Sequence, residues 1–540
     1  MKNFFISLCI YILSINIFAS EKITYIQTSS GKSLGAIDRG VISWEDIPYA
    51  KPPVGDLRWK APQSFEDYDY IIKTIEDNFC IQQSSNYGGA PSDKKIVGTE
   101  DCLYLDIRAP AKISANDMLP VLLWIHGGGN ISGLKDVYDF SELVRKENVI
   151  VVTINYRLGP FGWFTHPAIQ DLQDGIDKTS NFGTLDIIQS LEWLKKNISK
   201  FGGNPRNITI FGESAGGHNV LSLIASPMAK GLFHKAISQS GYTTSTSSNV
   251  SYMSSSSNSS ITHSSENVLE ILIPQYKNYS KKEINKIIKS MPAEDFFKPY
   301  LDKSNAEIPL LTNDGIVIPP EGLKESLNNS ELINNVPLLI GSNRDEVKLW
   351  LGTAKYFVKK DFSLFGSIFG IPAFNLKDPD SFEAFNYYRS SAWQIRGVLE
   401  PILSLQDAGN SNIYAYRYDW DDHRKFFFGD FKTLIGAAHA TEIPLLTGNN
   451  KLVGDYGFIF YPKGPSKKFT SKNMMRFWAN FEKQGVPGTS TNDIFWPNFD
   501  KENKKIMILD RKKDLRLSKL DISFPVLIKE LNKDSRLNNI

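Results

Sequence analysis

The stretch Phe211-Gly212-Glu213-Ser214-Ala215-Gly216-Gly217 constrains the fold of this chain more than any other. It follows a short apolar run, Ile208 to Phe211, and precedes the helix-like segment Asn219 to Ile224. A serine between two glycines, entered from a strand and left through a helix, reads as a nucleophile elbow. Ser214 then has to occupy a strained, tight turn with its hydroxyl exposed, and a Cβ at Gly212 or Gly216 would collide with neighbouring backbone. With 38 glycines among 540 residues the five-residue pattern alone is weak, so its place between strand and helix carries the reading.

A second glycine run, His126-Gly127-Gly128-Gly129, follows the apolar segment Leu119 to Ile125. Acyl transfer creates a tetrahedral oxyanion, and consecutive glycines let backbone N–H groups turn toward it. Gly128, Gly129 and Ala215 are the candidate donors of such an oxyanion hole. An elbow serine also needs a base and an acid that orients it, both expected further along the chain with the acid first. The chain has seven histidines. His439 stands among small residues in Gly436-Ala-Ala-His-Ala-Thr-Glu442, whereas His423 lies in a charged run and reads as solvated surface, and His263 lies in a serine-rich stretch. The acid is Glu346 or its neighbour Asp345, both of which follow the apolar run Val336 to Ile340. Spacing leaves that choice open.

The surrounding pattern is α/β. Leu119 to Ile125, Val149 to Ile154 and Ile208 to Phe211 are short and rich in Val, Ile and Leu, as suits buried strands of a mostly parallel sheet. Gly183 to Phe201 carries apolar residues near helical spacing between the second and third of these, giving strand, helix, strand. Val336 to Ile340 and Ile413 to Tyr418 read as further strands. Residues 243–265 are dominated by Ser, Asn and Thr and read as a mobile surface loop.

The composition, 41% hydrophobic and 22% charged, is that of a folded globular chain. A net charge of +2 with no basic stripe disfavours a nucleic-acid partner. Residues 1–20 run basic, apolar, small, the order of a secretory signal. The apolar run, Phe4 to Phe18, is shorter than a membrane span, and no later stretch could serve as one, so a secreted or periplasmic location without a stable span is expected. An uncleaved anchor or a lipid on Cys9 are the alternatives. Loss of the signal would leave Cys80 and Cys102, as a disulfide closing a loop of about 20 residues or as free buried thiols. No CxxC or His/Cys cluster suggests a structural zinc, and a serine nucleophile with a histidine base needs neither a metal nor an organic cofactor.

Several motifs together resemble the type-B carboxylesterases, the group that includes cholinesterases. They are Ile47-Pro-Tyr-Ala-Lys-Pro-Pro-Val-Gly-Asp-Leu-Arg-Trp59, Glu100-Asp-Cys-Leu-Tyr-Leu105, the His126 glycine run, Asn155-Tyr-Arg-Leu-Gly159, Phe201-Gly-Gly-Asn-Pro205, the Ser214 elbow, Ala236-Ile-Ser-Gln-Ser-Gly241, Asp345-Glu346 and Gly436 to Glu442. The resemblance implies an α/β-hydrolase fold, with residues 21–540 as one catalytic domain. It implies Ser214 as nucleophile, Glu346 as acid, His439 as base, a Cys80–Cys102 disulfide, and Glu213 as a second acidic residue beside the site. Two departures stand out: Val347 follows Asp345-Glu346 where glycine is usual, and Asn130 replaces the usual aromatic residue after the glycines. Ser92 occupies the spacing at which cholinesterases carry a tryptophan, so a choline ester is not expected. The implied activity is hydrolysis of a small-molecule carboxylic ester through an acyl-enzyme. A lipase for longer acyl chains, or a non-catalytic adhesion protein on the same fold, are the alternatives. The oligomeric state is not legible.

Overall fold

The side chains of Val121 to Ile125 are apolar and fully buried, which a strand achieves only inside a sheet covered on both faces. The computed structural model describes residues 24–85, 88–252, 265–302, 307–361, 373–426 and 428–537, and among them builds a twelve-stranded sheet around that segment. Its strands are β1 (Thr24–Thr28), β2 (Gly31–Asp38), β3 (Val41–Pro48), β4 (Tyr104–Pro110), β5 (Leu119–Ile125), β6 (Ile150–Ile154), β7 (Gly203–Glu213), β8 (Lys235–Gln239), β9 (Leu338–Asn343), β10 (Ile413–Tyr418), β11 (Lys505–Leu509) and β12 (Arg516–Lys519). They lie in the order 1-2-3-4-6-5-7-8-9-10-11-12. Pairing is parallel from β6 through β11, and antiparallel at both margins.

Successive side chains of a strand face opposite ways, and the two faces fill separate cores. Leu122 and Trp124 join Phe211, Ile237, Leu339 and Tyr416 on one face, covered by Phe477 and Trp478 of a long helix, Pro465–Gln484. Leu123 and Ile125 join Ile210, Ala236 and Ile340 on the other, covered by helix α1 (Phe182–Asn197) and helix α2 (Ala215–Ala225). The expected strands at 119–125 and 413–418 coincide with β5 and β10, and the expected helix from Gly183 is α1, continued by a 3-10 turn to Phe201. Register brings the site together: Ile125 pairs with Gly212, Glu213 with Gln239, and Gln239 with Gly341. The loops after β5, β7, β8 and β9 therefore emerge side by side at the carboxyl edge of the sheet, where such folds place ligands.

Part of the serine-rich stretch is ordered, contrary to the expectation of a loop across 243–265. Thr246–Ser247 pairs with Thr312–Asn313, and Ser248–Tyr252 is a helical turn with Ser251 buried. The backbone there is held by a bond from Thr246 N to Leu311 O, which composition could not reveal. The remainder, 253–264 with His263, lies outside the described residues, as does the signal-like segment. Cys80 and Cys102 are joined, with Cα atoms 4.9 Å apart and both side chains buried. No helix among the described residues is long and apolar enough to cross a membrane.

One feature of the core makes stability depend on pH. Glu482, on the helix that covers the Trp124 face, is 0% exposed, and the Val121 backbone amide beside its carboxylate makes no well-aligned hydrogen bond to either oxygen. Burial pushes its carboxyl up to about 8 against the opposing pull of Lys235 and Lys483. The folded state then holds a proton that the unfolded chain releases near the ordinary carboxylate value, so stability is lost as pH rises from there to about 8. Glu482→Gln keeps the shape without the charge. Its melting temperature is expected to match wild type at pH 5 and to exceed it by roughly 1–3 °C at pH 8.5. An equal difference at both pH values would contradict this account of Glu482.

Candidate active site

Ser214 sits at φ 59°, ψ −120°, a conformation that costs a non-glycine residue strain and turns its side chain out of the β7–α2 junction. Glu213 and Ala215 are buried, whereas Ser214 is half-exposed. The flanking glycines are sterically required: a Cβ on Gly212 would come 2.5 Å from Ile125 O, and one on Gly216 2.0 Å from the same atom. The glycine run after β5 lies against this turn, since a Cβ on Gly127 would stand 3.1 Å from Ser214 Cβ.

Gly128 and Gly129 take φ values of 97° and 67°, and a Cβ on Gly128 would meet Ser132 O at 2.1 Å. Gly128 O accepts from Ile131 N and Ser132 N, which curls the loop back on itself. Gln82, two residues beyond Cys80, clamps its far end: Gly133 N donates to Gln82 Oε1 at 2.9 Å, and Gln82 Nε2 donates to Gly133 O and Cys80 O. The disulfide loop thereby supports the glycine loop. Among the described residues no acceptor takes the N–H of Gly128, Gly129 or Ala215.

Glu346 and His439 meet across 93 residues of sequence, with Glu346 Oε2 at 2.5 Å from His439 Nδ1. Glu346 is 0% exposed, and its other oxygen accepts from Ser240 Oγ at 2.6 Å and Asn343 N at 2.7 Å. The histidine turn is laced to the segment after β9 by bonds from Asp345 N to Ala437 O, Asn343 Nδ2 to Ala438 O, and His439 N to Glu346 O. Asp345 faces away from the imidazole. Its carboxylate takes bonds from Arg344, Asn386 and Ala437 N, and the Lys348 and Arg344 cations hold it below the usual carboxylate range despite burial.

The far nitrogen of the imidazole, Nε2, is buried, makes no hydrogen bond, and lies 3.2 Å from Glu213 Oε1. Burial alone would lower the affinity of His439 for a proton. The Glu213 and Glu346 carboxylates outweigh it and hold the imidazole above its ordinary value. Burial in turn pushes the Glu213 carboxyl up, opposed by His439. Two indoles cover the ring, Trp393 with its centroid at 4.9 Å and the 49% exposed Trp350 at 5.2 Å.

The other histidines play different parts. His126 stacks on Tyr156 at 4.4 Å and His218 on Tyr242 at the same distance, and burial pushes both imidazoles down to about 4. His423 is not solvated surface: it is buried, with Nδ1 on Phe460 O and Nε2 on Gly436 O. Its charged neighbours in sequence hid that role. Sequence reading also missed Glu442, three residues beyond His439, a fully buried carboxylate held by Asn343 and Gln239 and pushed up by burial. Asp46, Asp106 and Asp136 bring carboxylates within 4.8 Å of one another, but Lys135 Nζ already sits 2.7, 2.9 and 2.8 Å from them as the balancing cation.

Comparison with known proteins agrees with this geometry. The model of the carboxylesterase family matches residues 22–367 and 391–524. The para-nitrobenzyl esterase of Bacillus subtilis (strain 168) is 32% identical over 507 residues, covering 90% of this chain and 94% of that protein. Liver carboxylesterase 1F of Rattus norvegicus is 29% identical, covering 89% and 90%. Among solved structures, a PNB esterase superposes with a TM-score of 0.71 at 28% identity over 94% of this chain and 99% of its own. A carboxylesterase of Geobacillus stearothermophilus does so with a TM-score of 0.69 at 27% identity over 94% and 99%. The sheet and its flanking helices are thus an α/β-hydrolase fold, and the chain belongs to the carboxylesterase family as a carboxylic ester hydrolase.

Proposed function

We propose that ester hydrolysis proceeds by a Ser214–His439–Glu346 triad through an acyl-enzyme. The observation that carries this reading is a strained, accessible serine flanked by free backbone donors, beside an imidazole whose Nδ1 is engaged by a buried carboxylate. His439 Nε2 takes the proton as Ser214 Oγ bonds to the ester carbonyl carbon, and the carbonyl oxygen becomes an oxyanion between the N–H groups of Gly128, Gly129 and Ala215. As the tetrahedral species collapses, Nε2 returns that proton to the departing alcohol. Water, deprotonated by the same nitrogen, then releases the acid and restores Ser214. Glu346 fixes the tautomer in which Nε2 is free to accept, and stabilises the imidazolium. Glu213, 3.2 Å from the nitrogen that carries the proton, stabilises that charge from the other side. Residues 21–540 form one catalytic domain, exported by residues 1–20; a buried disulfide fits an oxidising compartment.

The test is covalent labelling of the full chain by a fluorophosphonate beside turnover of p-nitrophenyl esters, since an activated serine supports both. A folded protein that does neither contradicts the reading. The pH profile adds a sign. Because His439 acts as the neutral base, kcat/KM is expected to fall as pH drops through a pKa above 6.5. Glu213→Gln removes the largest of the contributions that raise it, so the acid limb should move to lower pH by about one unit. An unmoved limb would exclude Glu213 from tuning the imidazole.

A further inference from the structure

The residue that follows the glycine run is Asn130, where the resemblance leads one to expect an aromatic side chain. Its carboxamide does not reach solvent. Asn130 is 3% exposed and Asn219, on α2, 0%. Asn219 Nδ2 donates to Asn130 Oδ1 at 2.9 Å, and Asn130 Nδ2 returns a longer bond to Asn219 Oδ1 at 3.4 Å. The Tyr156 hydroxyl lies 3.2 Å from Asn130 Oδ1 and 2.7 Å from His126 O, and Gly159 N donates to Asn130 O at 2.7 Å. The backbone of Asn130 is left-handed, φ 61°, a region that asparagine enters more readily than bulkier residues.

These two carboxamides join the two segments that carry the oxyanion donors. Asn130 is the residue directly after Gly129. Asn219 lies one helical turn beyond Ala215, on the same side of α2. Along the chain, Gly128 and Gly129 are joined to Ala215 only by the long path through β6, α1 and β7 to the elbow. The buried pair is a short bridge between them, and its two bonds run in opposite directions, so a shift of either segment stretches both. We propose that Asn130 and Asn219 are positioning residues for the ester hydrolysis, a carboxamide clasp that sets the separation of the Gly128 and Gly129 N–H groups from the Ala215 N–H. This rests on the oxyanion hole described under the proposed function. The clasp touches no substrate and acts through the placement of the donors, whose contribution depends on a fixed geometry around the developing charge.

Asn130→Gly removes the carboxamide while tolerating positive φ, and Asn219→Ala removes its partner at a helix position that favours alanine. In the full chain, each variant is expected to lower kcat for p-nitrophenyl acetate by roughly 10–50-fold, less than outright loss of a donor, with KM within about 2-fold. The inhibition constant of an aryl trifluoromethyl ketone, which forms a tetrahedral oxyanion on the serine, should rise by the same factor. The double variant should be no worse than about 2-fold below the weaker single variant, because one interaction is being removed twice. Unchanged kcat, loss of melting temperature with an unchanged inhibition constant, or multiplied effects in the double variant would each overturn the clasp. Ser214→Ala run in parallel separates the two levels: wild-type turnover in that variant overturns Ser214 as nucleophile and with it the proposed function on which the clasp rests, while an inert Ser214→Ala beside unaffected asparagine variants overturns the clasp alone.

Discussion

Ser214→Ala is expected to lower kcat for p-nitrophenyl esters by about 10⁴-fold or more, with a melting temperature close to wild type. The reasoning follows from what the substitution removes and what it leaves. Ser214 Oγ forms no hydrogen bond to His439 in the resting structure, and the backbone bonds of the turn, Ser214 N to Gln239 O and His218 N to Ser214 O, do not depend on the side chain. Alanine carries the same Cβ, so the strain at φ 59° is unchanged. Only the hydroxyl that attacks in the proposed mechanism is lost. The donors of Gly128, Gly129 and Ala215 persist, so a residual rate above that of water is expected, whereas fluorophosphonate labelling should vanish. A variant that retains more than about a tenth of wild-type kcat would mean that Ser214 is not the nucleophile.

Glu346→Gln is the second large effect, with an expected fall in kcat of about 10³–10⁴-fold. One oxygen of Glu346 already accepts from two donors, Ser240 Oγ and Asn343 N. A glutamine must therefore place its carbonyl oxygen there and turn its NH₂ group toward His439 Nδ1. The NH₂ group donates, so Nδ1 must accept, and the imidazole proton moves to Nε2, the nitrogen that takes the proton from Ser214 in the proposed mechanism. The volume is conserved and the loss is one of tautomer. Asp345→Asn is the matched control. Asp345 pairs with Arg344, Asn386 and the backbone of Ala437, so its substitution should lower the melting temperature while kcat falls less than about 10-fold. If instead Asp345→Asn is the inactive variant and Glu346→Gln is not, the assignment of the acid is reversed.

The fold was legible wherever local chemistry decides it. β5 and β10 were bounded correctly because runs such as Leu122 to Ile125 have no alternative to burial. The elbow was legible because its glycine-flanked serine stands between strand-like and helix-like segments; the structure adds the steric reason, since a Cβ on Gly212 or Gly216 would clash with Ile125 O of the neighbouring strand. His423 was misread because charged residues beside it suggested solvent, while its own ring is capped by Phe460 and Gly436 carbonyls from other parts of the chain. Gln82 and Asn219 carry no sequence signal, and Glu442 closes the Gly436 to Glu442 motif, which does not reveal its role. Each is an ordinary polar residue whose role comes from the group it faces.

Sequence by itself determined what residue type and short spacing reveal: the glycine-flanked Ser214 between strand and helix, the glycine loop, the buried strands, and the small set of histidines from which His439 could be chosen. Tertiary structure decided the pairings. Glu346 and Asp345 are adjacent and chemically alike, and only the lacing of the histidine turn to the segment after β9 turns one toward the imidazole and the other toward Arg344. Asn130 and Asn219 stand 89 residues apart, and the pairing of Ile125 with Gly212 brings their segments together. Backbone sterics act over short separations and leave a trace in residue type and spacing, whereas the partner of a buried polar group is set by strand register and packing, which no short stretch of sequence contains.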